Sequence, residues 1–257
     1  MRPNNMLAKL RAGEPAFGTF MALGSALGAE QLAHVGFDWL VIEREHHAIG
    51  TTLTQQLLQA ISTTDTVPLV RVPSSDRRGI GAALDAGAYG VVVPMVNSRE
   101  QAEAVVHAGR YPPEGGRGVG GARRAFYGGA DYVAHANQEI ALIVMIEHVD
   151  AVERCRDILS VPGIDGWFLG PSDLCASMGL EPTWDPQYPE YIDAVAEVRR
   201  IGTELGVPGG IHTTTDNVAA AVSDGFQFVA IGYDISFMAA GARGALAAAR
   251  AAAATSQ

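Results

Sequence analysis

Hydrophobic residues recur along the chain in short runs, separated by longer stretches of helical period. The runs that read as strands are 17–23, 37–42, 67–72, 89–93, 141–146, 164–169, 207–211 and 226–231. Between and after them, apolar positions three and four apart predict helices near 26–35, 53–63, 76–86, 99–109, 148–160, 188–205, 216–223 and 235–253. Strands that are apolar throughout are covered on both faces. Their regular alternation with helices means right-handed βαβ units. Eight such units close into a TIM (β/α)8 barrel, expected here as one domain over residues 1–257. An open doubly wound sheet is the alternative.

The clearest unit lies within 141–174. Its first apolar run stops at Glu147, and its second stops at Gly170, Pro171, Ser172 and Asp173. The stretch between carries Val149, Val152, Cys155, Ile158 and Leu159 at helical spacing. Consecutive parallel strands end on one side of the sheet, so Glu147 and Asp173 are expected to be neighbours. Two carboxylates at the mouth of an apolar sheet repel unless a proton or a cation lies between them. Oxygen-only donors with open positions suit a hard divalent ion.

A barrel places its functional residues just after the strands, on the C-terminal face. Those positions hold Glu43, Glu45 and His46 after the second strand, Arg71 at the end of the third and Pro94 after the fourth. Glu147 follows the fifth, 170–173 the sixth, His212 the seventh, and Tyr233 and Asp234 the eighth. His47 competes with His46 for the same role. His212 reads as a packed or hydrogen-bonding barrel-end residue, and Trp39, Trp167 and Phe168 read as core.

Composition narrows the chemistry. The chain has 257 residues, 48% hydrophobic and 18% charged, enough for a large core. A net charge of −10 argues against nucleic acid or an anionic membrane as partner. Cys155 and Cys175 form no CxxC pattern, which leaves no disulfide framework. No run approaches the length of a membrane span, and the first residues lack the apolar core of a signal peptide, so a cytoplasmic protein is expected. Of the 18 basic residues only Lys9 is a lysine, in the polar N-terminal lead. Schiff-base chemistry needs a desolvated lysine in a pocket. Any carbonyl chemistry is therefore expected to be metal-assisted.

Residues 111–130 form a glycine-rich insertion with the length of a lid or ligand clamp, and Arg117, Arg123 and Arg124 give it anion-binding capacity. Its glycines do not read as G-x-G-x-x-G and follow a helix, so no nucleotide cofactor is expected. The Ala-rich segment 238–255 reads either as a frayed end or as a helix packed on another subunit.

The segments GFDWLVIEREH (36–46), PLVRVP (68–73), VVVPMV (91–96), RYPPEGGRGVGG (110–121), MIE (145–147) and GPSDL (170–174) together resemble the HpcH/HpaI aldolase family. These are metal-dependent class II pyruvate aldolases, and the likeness covers nearly the whole chain. The resemblance implies reversible cleavage of a 4-hydroxy-2-oxo acid to pyruvate, or hydroxypyruvate, and an aldehyde. It implies that Glu147 and Asp173 hold Mg²⁺, Mn²⁺ or Co²⁺, and that Arg71 binds the keto oxygen that becomes the enolate. Backbone around Gly170, Pro171 and Ser172 would hold the pyruvate carboxylate. His46 would act through a water as base on the 4-hydroxyl, and Arg124 would lie nearest the aldehyde end. Glu43 would support these groups, and Glu45 either supports them too or pairs with Arg44. Asp85 would partner the histidine, which requires a neighbouring subunit because Asp85 ends a helix returning to the opposite face. A trimer-based hexamer is the implied assembly.

Three positions depart from the family pattern. Glu43 stands where an aspartate is usual, Arg44 where a glycine is common, and Met145 where many relatives have glutamine. Rival expectations are a CoA-thioester lyase of the malyl- or citramalyl-CoA type, a sugar-phosphate barrel enzyme using Gly209, Gly210 and Gly232, and a non-catalytic metal- or oxo-acid-binding barrel.

Overall fold

A computed structural model describes residues 1–255 of the chain. The strands β1 (Ala16–Met21), β2 (Trp39–Glu43), β3 (Val67–Arg71), β4 (Gly90–Val93), β5 (Ala141–Ile146), β6 (Gly166–Leu169), β7 (Gly209–Thr213) and β8 (Phe228–Tyr233) form one closed parallel barrel in chain order, with β8 returning to β1. The (β/α)8 expectation holds, and the open sheet does not.

The helices are α1 (Asn5–Arg11), α2 (Ala26–Val35), α3 (Thr51–Ile61), α4 (Arg77–Asp85), α5 (Arg99–Gly109), α6 (Arg123–Gly128), α7 (Tyr132–Glu139), α8 (Val149–Glu153), α9 (Cys155–Leu159), α10 (Pro171–Ser177), α11 (Pro189–Leu205), α12 (Val218–Ser223) and α13 (Asp234–Ala254). Several boundaries are written in the sequence. Ser25, Asp76 and Ser98 accept from backbone N–H groups in the first turns of α2, α4 and α5. Gly36 and Gly206, with φ of 99° and 69°, end α2 and α11 in the left-handed conformation. The expected helix over 148–160 is broken at Arg154 into α8 and α9.

The barrel interior is filled rather than open. Trp39 stacks on Phe228 with centroids 4.1 Å apart, and Phe20 packs against Phe168 at 5.5 Å. Glycines make room for these rings. A Cβ at Gly18 would collide with the Trp39 ring and carbonyl, one at Gly209 with Trp167, and one at Gly210 with Phe168 and Phe228. Gly209 and Gly210 are thus occupied by core packing, which removes the phosphate cradle expected there.

Helix α1, which the hydrophobic pattern did not announce, covers the N-terminal end of the barrel. Asn4 caps it by accepting from the Leu7 N–H and also donates to the carbonyls of Tyr89 and Glu139. Lys9 pairs with Asp38 at 2.7 Å, just before β2, at the end opposite the functional strand termini. The insertion 111–130 lies at this same end, because it connects the returning helix α5 to β5. Arg117 is buried between Asp85, at 2.9 Å, and the Tyr132 hydroxyl, at 3.1 Å. Arg123 donates to the Ala86 carbonyl at 2.6 Å. The insertion therefore cannot close over this chain's own strand ends, which corrects the lid expectation. Among the described residues, no helix is long and apolar enough to cross a membrane.

Two glycines give opposite expectations. Gly18→Ala forces β1 off β2 and lowers stability by about 1–3 kcal/mol. Gly81→Ala, inside α4 with nothing within 4 Å of its Cβ position, raises stability by about 0.4–1 kcal/mol. Urea unfolding of the two variants measures both signs.

Candidate active site

The register of β2 against β3 sets Glu43 beside Arg71 at the C-terminal ends of the strands. Glu43 is fully buried and forms an ion pair with the Arg71 guanidinium, which is only 6% exposed. The other Glu43 oxygen accepts the N–H groups of Glu45, at 2.7 Å, and His46, at 3.2 Å. One buried carboxylate thus holds the arginine and shapes the turn that presents Glu45 and His46. Arg71 also lies 3.2 Å from Glu45 Oε2 and over the Phe20 ring at 5.4 Å. Burial works against the Arg71 charge, but Glu43 and Glu45 outweigh it and hold the guanidinium protonated above its ordinary range.

Glu147 follows β5 directly and is 1% exposed. Its Oε1 accepts the Met95 N–H at 2.7 Å. Met95, just past β4, has φ of 54°, a left-handed conformation unusual for a residue with a side chain. That strain turns the Met95 amide toward the carboxylate. Gly170 gives Glu147 its space, since a Cβ there would collide with Glu147 Oε2. Asp173 stands in the first turn of α10, which Pro171 opens at a position where its missing N–H is harmless. Burial drives the Glu147 carboxyl up to about 7; Glu45 and Asp173 push the same way, and the Met95 N–H offsets part of it. Burial also raises Glu45, against the pull of Arg71 and His46.

These features fit a hard divalent cation. The donors are carboxylate oxygens gathered at one cavity, where burial and the neighbouring Glu45 and Asp173 charges all disfavour an ionised Glu147 unless a cation lies between them. Among the described residues, no group of three or more His, Cys, Asp or Glu side chains is arranged to hold a metal. Glu147 and Asp173 would therefore supply two protein donors, with the other positions left to substrate or water.

A cavity of about 370 Å³ at this end of the barrel brings together His46, His47, Arg71, Glu147 and the 170–173 turn. The family description "HpcH/HpaI aldolase/citrate lyase" matches residues 16–240. The chain belongs to the HpcH/HpaI aldolase/citrate lyase family. It is 38% identical over 238 residues to a hydroxypyruvate/pyruvate aldolase of Sagittula stellata, covering 91% of this chain and 93% of that one. It is 39% identical over 242 residues to a 4-hydroxy-2-oxo-heptane-1,7-dioate aldolase of Escherichia coli, covering 92% and 91%. The solved structure of an HpcH/HpaI aldolase/citrate lyase family protein from Burkholderia cenocepacia superposes with a TM-score of 0.90 at 34% identity, covering 96% of this chain and 99% of that one.

The residues that family resemblance brought forward fall into two groups. His46, Arg71, Glu147, Gly170, Pro171, Ser172 and Asp173 meet at the cavity, with Glu43 and Glu45 directly behind Arg71. His46 is exposed, with Nε2 3.6 Å from Glu45 Oε2, while His47 also lines the cavity and buries an unpartnered Nδ1. Asp85 and Arg124 do not join them. Asp85 binds Arg117, and Arg124 bonds to the Gly120 carbonyl and lies 5.9 Å from the Tyr132 ring, both at the N-terminal end. Arg44 turns away to the start of α3, donating to the Ile49 carbonyl at 3.0 Å, so it adds no bulk to the cavity. Met145 contacts Arg71 through sulfur at 3.8 Å. Asp234 is structural: it accepts the Ala22 and Leu23 N–H groups and ties the end of β1 to α13. Sequence reasoning missed Met95 and Trp184; for Met95 the signal was its place two residues past a strand.

Glu43→Ala leaves the buried Arg71 charge with Glu45 as its remaining carboxylate partner and is expected to lower stability by about 3 kcal/mol. The double variant Glu43→Ala/Arg71→Met removes both charges and recovers part of that loss. A double-mutant cycle by urea unfolding measures the coupling.

Proposed function

We propose that this chain is a metal-dependent class II aldolase, a carbon–carbon lyase that reversibly cleaves 4-hydroxy-2-oxo acids to pyruvate, or hydroxypyruvate, and an aldehyde. The observation that carries this reading is the convergence of Arg71, Glu147 and the 170–173 turn on one cavity. Arg71, locked by Glu43 and Glu45, is a fixed cation aimed where negative charge develops on the keto oxygen. Such preorganised charge is worth most in the transition state. Gly170, Pro171 and Ser172 line the cavity beside Glu147 and receive the substrate carboxylate. His46, exposed at the cavity and steered by Glu45, takes the proton of the 4-hydroxyl. Glu147 and Asp173 would hold a divalent ion, which would supply Lewis-acid stabilisation of the oxo-acid oxygens.

The assembly belongs to the same reading. Helix α13 runs 21 residues with only Asp234 buried, and leaves Ile235, Phe237, Met238 and Leu246 exposed. Asp85 and Arg124, at the far end of the barrel, reach an active site only in a neighbouring copy. A homo-oligomer of trimer or hexamer type satisfies both, with α13 packed on a neighbour.

Enzyme stripped by chelator is expected to release no pyruvate from 4-hydroxy-2-oxo acids, and Mg²⁺, Mn²⁺ or Co²⁺ to restore release. Arg71→Ala and Glu147→Ala each lower the restored rate by about 10²–10³-fold or more. Release that ignores chelator overturns the metal mechanism. Metal binding without turnover points to the non-catalytic barrel.

A further inference from the structure

The cavity has two chemically different walls. One carries Arg71, Glu147 and the 170–173 turn. The other is aromatic and comes from the last two strands. On it the His212 ring stacks on Tyr233, with centroids 5.0 Å apart and planes 16° from parallel. Trp184, from the segment between α10 and α11, stands edge-on to both, 5.6 Å from His212 and 6.0 Å from Tyr233. Beneath them, Phe20 contacts His212 at 4.5 Å and continues the stack into the barrel core.

Trp184 is the feature that needs explaining. It is 64% exposed although it is the largest kind of apolar side chain. Its segment is nonetheless tethered to the site. The Ser172 hydroxyl donates to the Thr183 carbonyl at 3.2 Å, which ties the Trp184 segment to the turn beside Glu147. An exposed, positioned indole bordering a cavity is a surface waiting for a flat partner.

The charge on this wall points the same way. Burial and the nearby Arg71 charge push the His212 imidazole down to about 3, and burial pushes the Tyr233 hydroxyl up to about 12. Both rings are therefore neutral, and the Tyr233 hydroxyl lies 3.4 Å from His212 Nε2. Arg71 lies close enough to act on both rings, but its charge is already paired with Glu43 and Glu45. An anionic tail lying against Trp184, His212 and Tyr233 finds Arg71 already balanced by two carboxylates, whereas an aromatic ring finds ring faces and edges to pack on.

We propose that Trp184, His212 and Tyr233 form the acceptor subsite of this enzyme and select planar aromatic aldehydes over aliphatic or anionic ones. The proposal rests on the aldolase reading given above. In the synthetic direction C3 of pyruvate loses a proton and bonds to the aldehyde carbon, whose oxygen gains a proton and becomes the 4-hydroxyl. No other reactant is consumed. The aldehyde substituent is then the part that lies on the aromatic wall.

The test uses the metal-loaded enzyme with pyruvate and, in turn, benzaldehyde, propionaldehyde and succinic semialdehyde. Exchange of the pyruvate methyl protons into D₂O, followed by NMR without any aldehyde, reports proton abstraction independently of the acceptor. Benzaldehyde is expected to exceed both aliphatic aldehydes in kcat/KM by about tenfold, the scale of a well-made aromatic contact with its buried area. Trp184→Ala and Tyr233→Leu are expected to collapse the benzaldehyde-to-propionaldehyde ratio toward unity, and Trp184→Phe to restore most of it. A ratio is insensitive to general damage to the variant. Exchange with no preference for benzaldehyde, or with a preference for succinic semialdehyde supported by Arg124 of another copy, overturns the aromatic subsite alone. Absence of exchange in the metal-loaded enzyme overturns the aldolase reading and this proposal with it.

Discussion

The buried ion pair between Glu43 and Arg71 is the constraint on which the rest of the site depends. Two charges taken from water are stable only when each is fully partnered. Here the sheet itself provides the partner, because the β2/β3 register sets the two residues side by side. The remaining lone pairs of Glu43 take up the Glu45 and His46 amides. The pair therefore fixes a cation, a second carboxylate and a histidine in a single arrangement. An aspartate at position 43 would have to reach the same amides and the same guanidinium with one methylene less. The glutamate in this chain reaches both.

Strand direction separates the chemistry of the molecule into two ends. At the C-terminal end the described cavity holds one arginine, locked to carboxylates, facing Glu147 and Asp173. At the N-terminal end Lys9, Arg110, Arg117 and Arg123 pair with Asp38, Asp165, Asp85 and the Ala86 carbonyl. The arginine-rich insertion thus serves as a clasp that ties α5, α4 and α7 together. The same geometry gives Asp85 and Arg124 no access to their own chain's cavity, and makes any role for them a matter of subunit contact.

The barrel and the placement of Glu147 and Asp173 at its C-terminal cavity were legible because each rests on a local pattern. Apolar runs ending in Glu147 and in Gly170–Asp173 mark strand ends whatever the surrounding fold. Boundaries were less legible, for a definite reason. Phe226 belongs to an apolar run and is buried against Trp167, yet its N–H bonds back to Ala221 at the end of α12 instead of joining the ladder. Hydrophobicity reports burial, and burial begins before pairing does. The reverse holds at the other ends of β7 and β8, where the ladder continues through polar residues to Thr213 and Tyr233. Arg124 illustrates the remaining gap. Its charge was readable, but which end of the barrel it occupies depends on the path of a connection that no periodicity encodes.

That extension of β7 and β8 has a chemical consequence. Had the strands stopped with their apolar runs, His212 and Tyr233 would sit on loops, free to turn toward solvent. Held on adjacent strands, they stack on each other and pack at a tilt against Phe20, so the core packing of the barrel runs unbroken up to the cavity wall. The wall inherits the low polarity of that core, which keeps His212 neutral and concentrates the positive charge of the cavity on Arg71. One side of the cavity can then stabilise a developing anion while the other accepts an uncharged ring. The division follows from barrel packing on one side and a buried ion pair on the other.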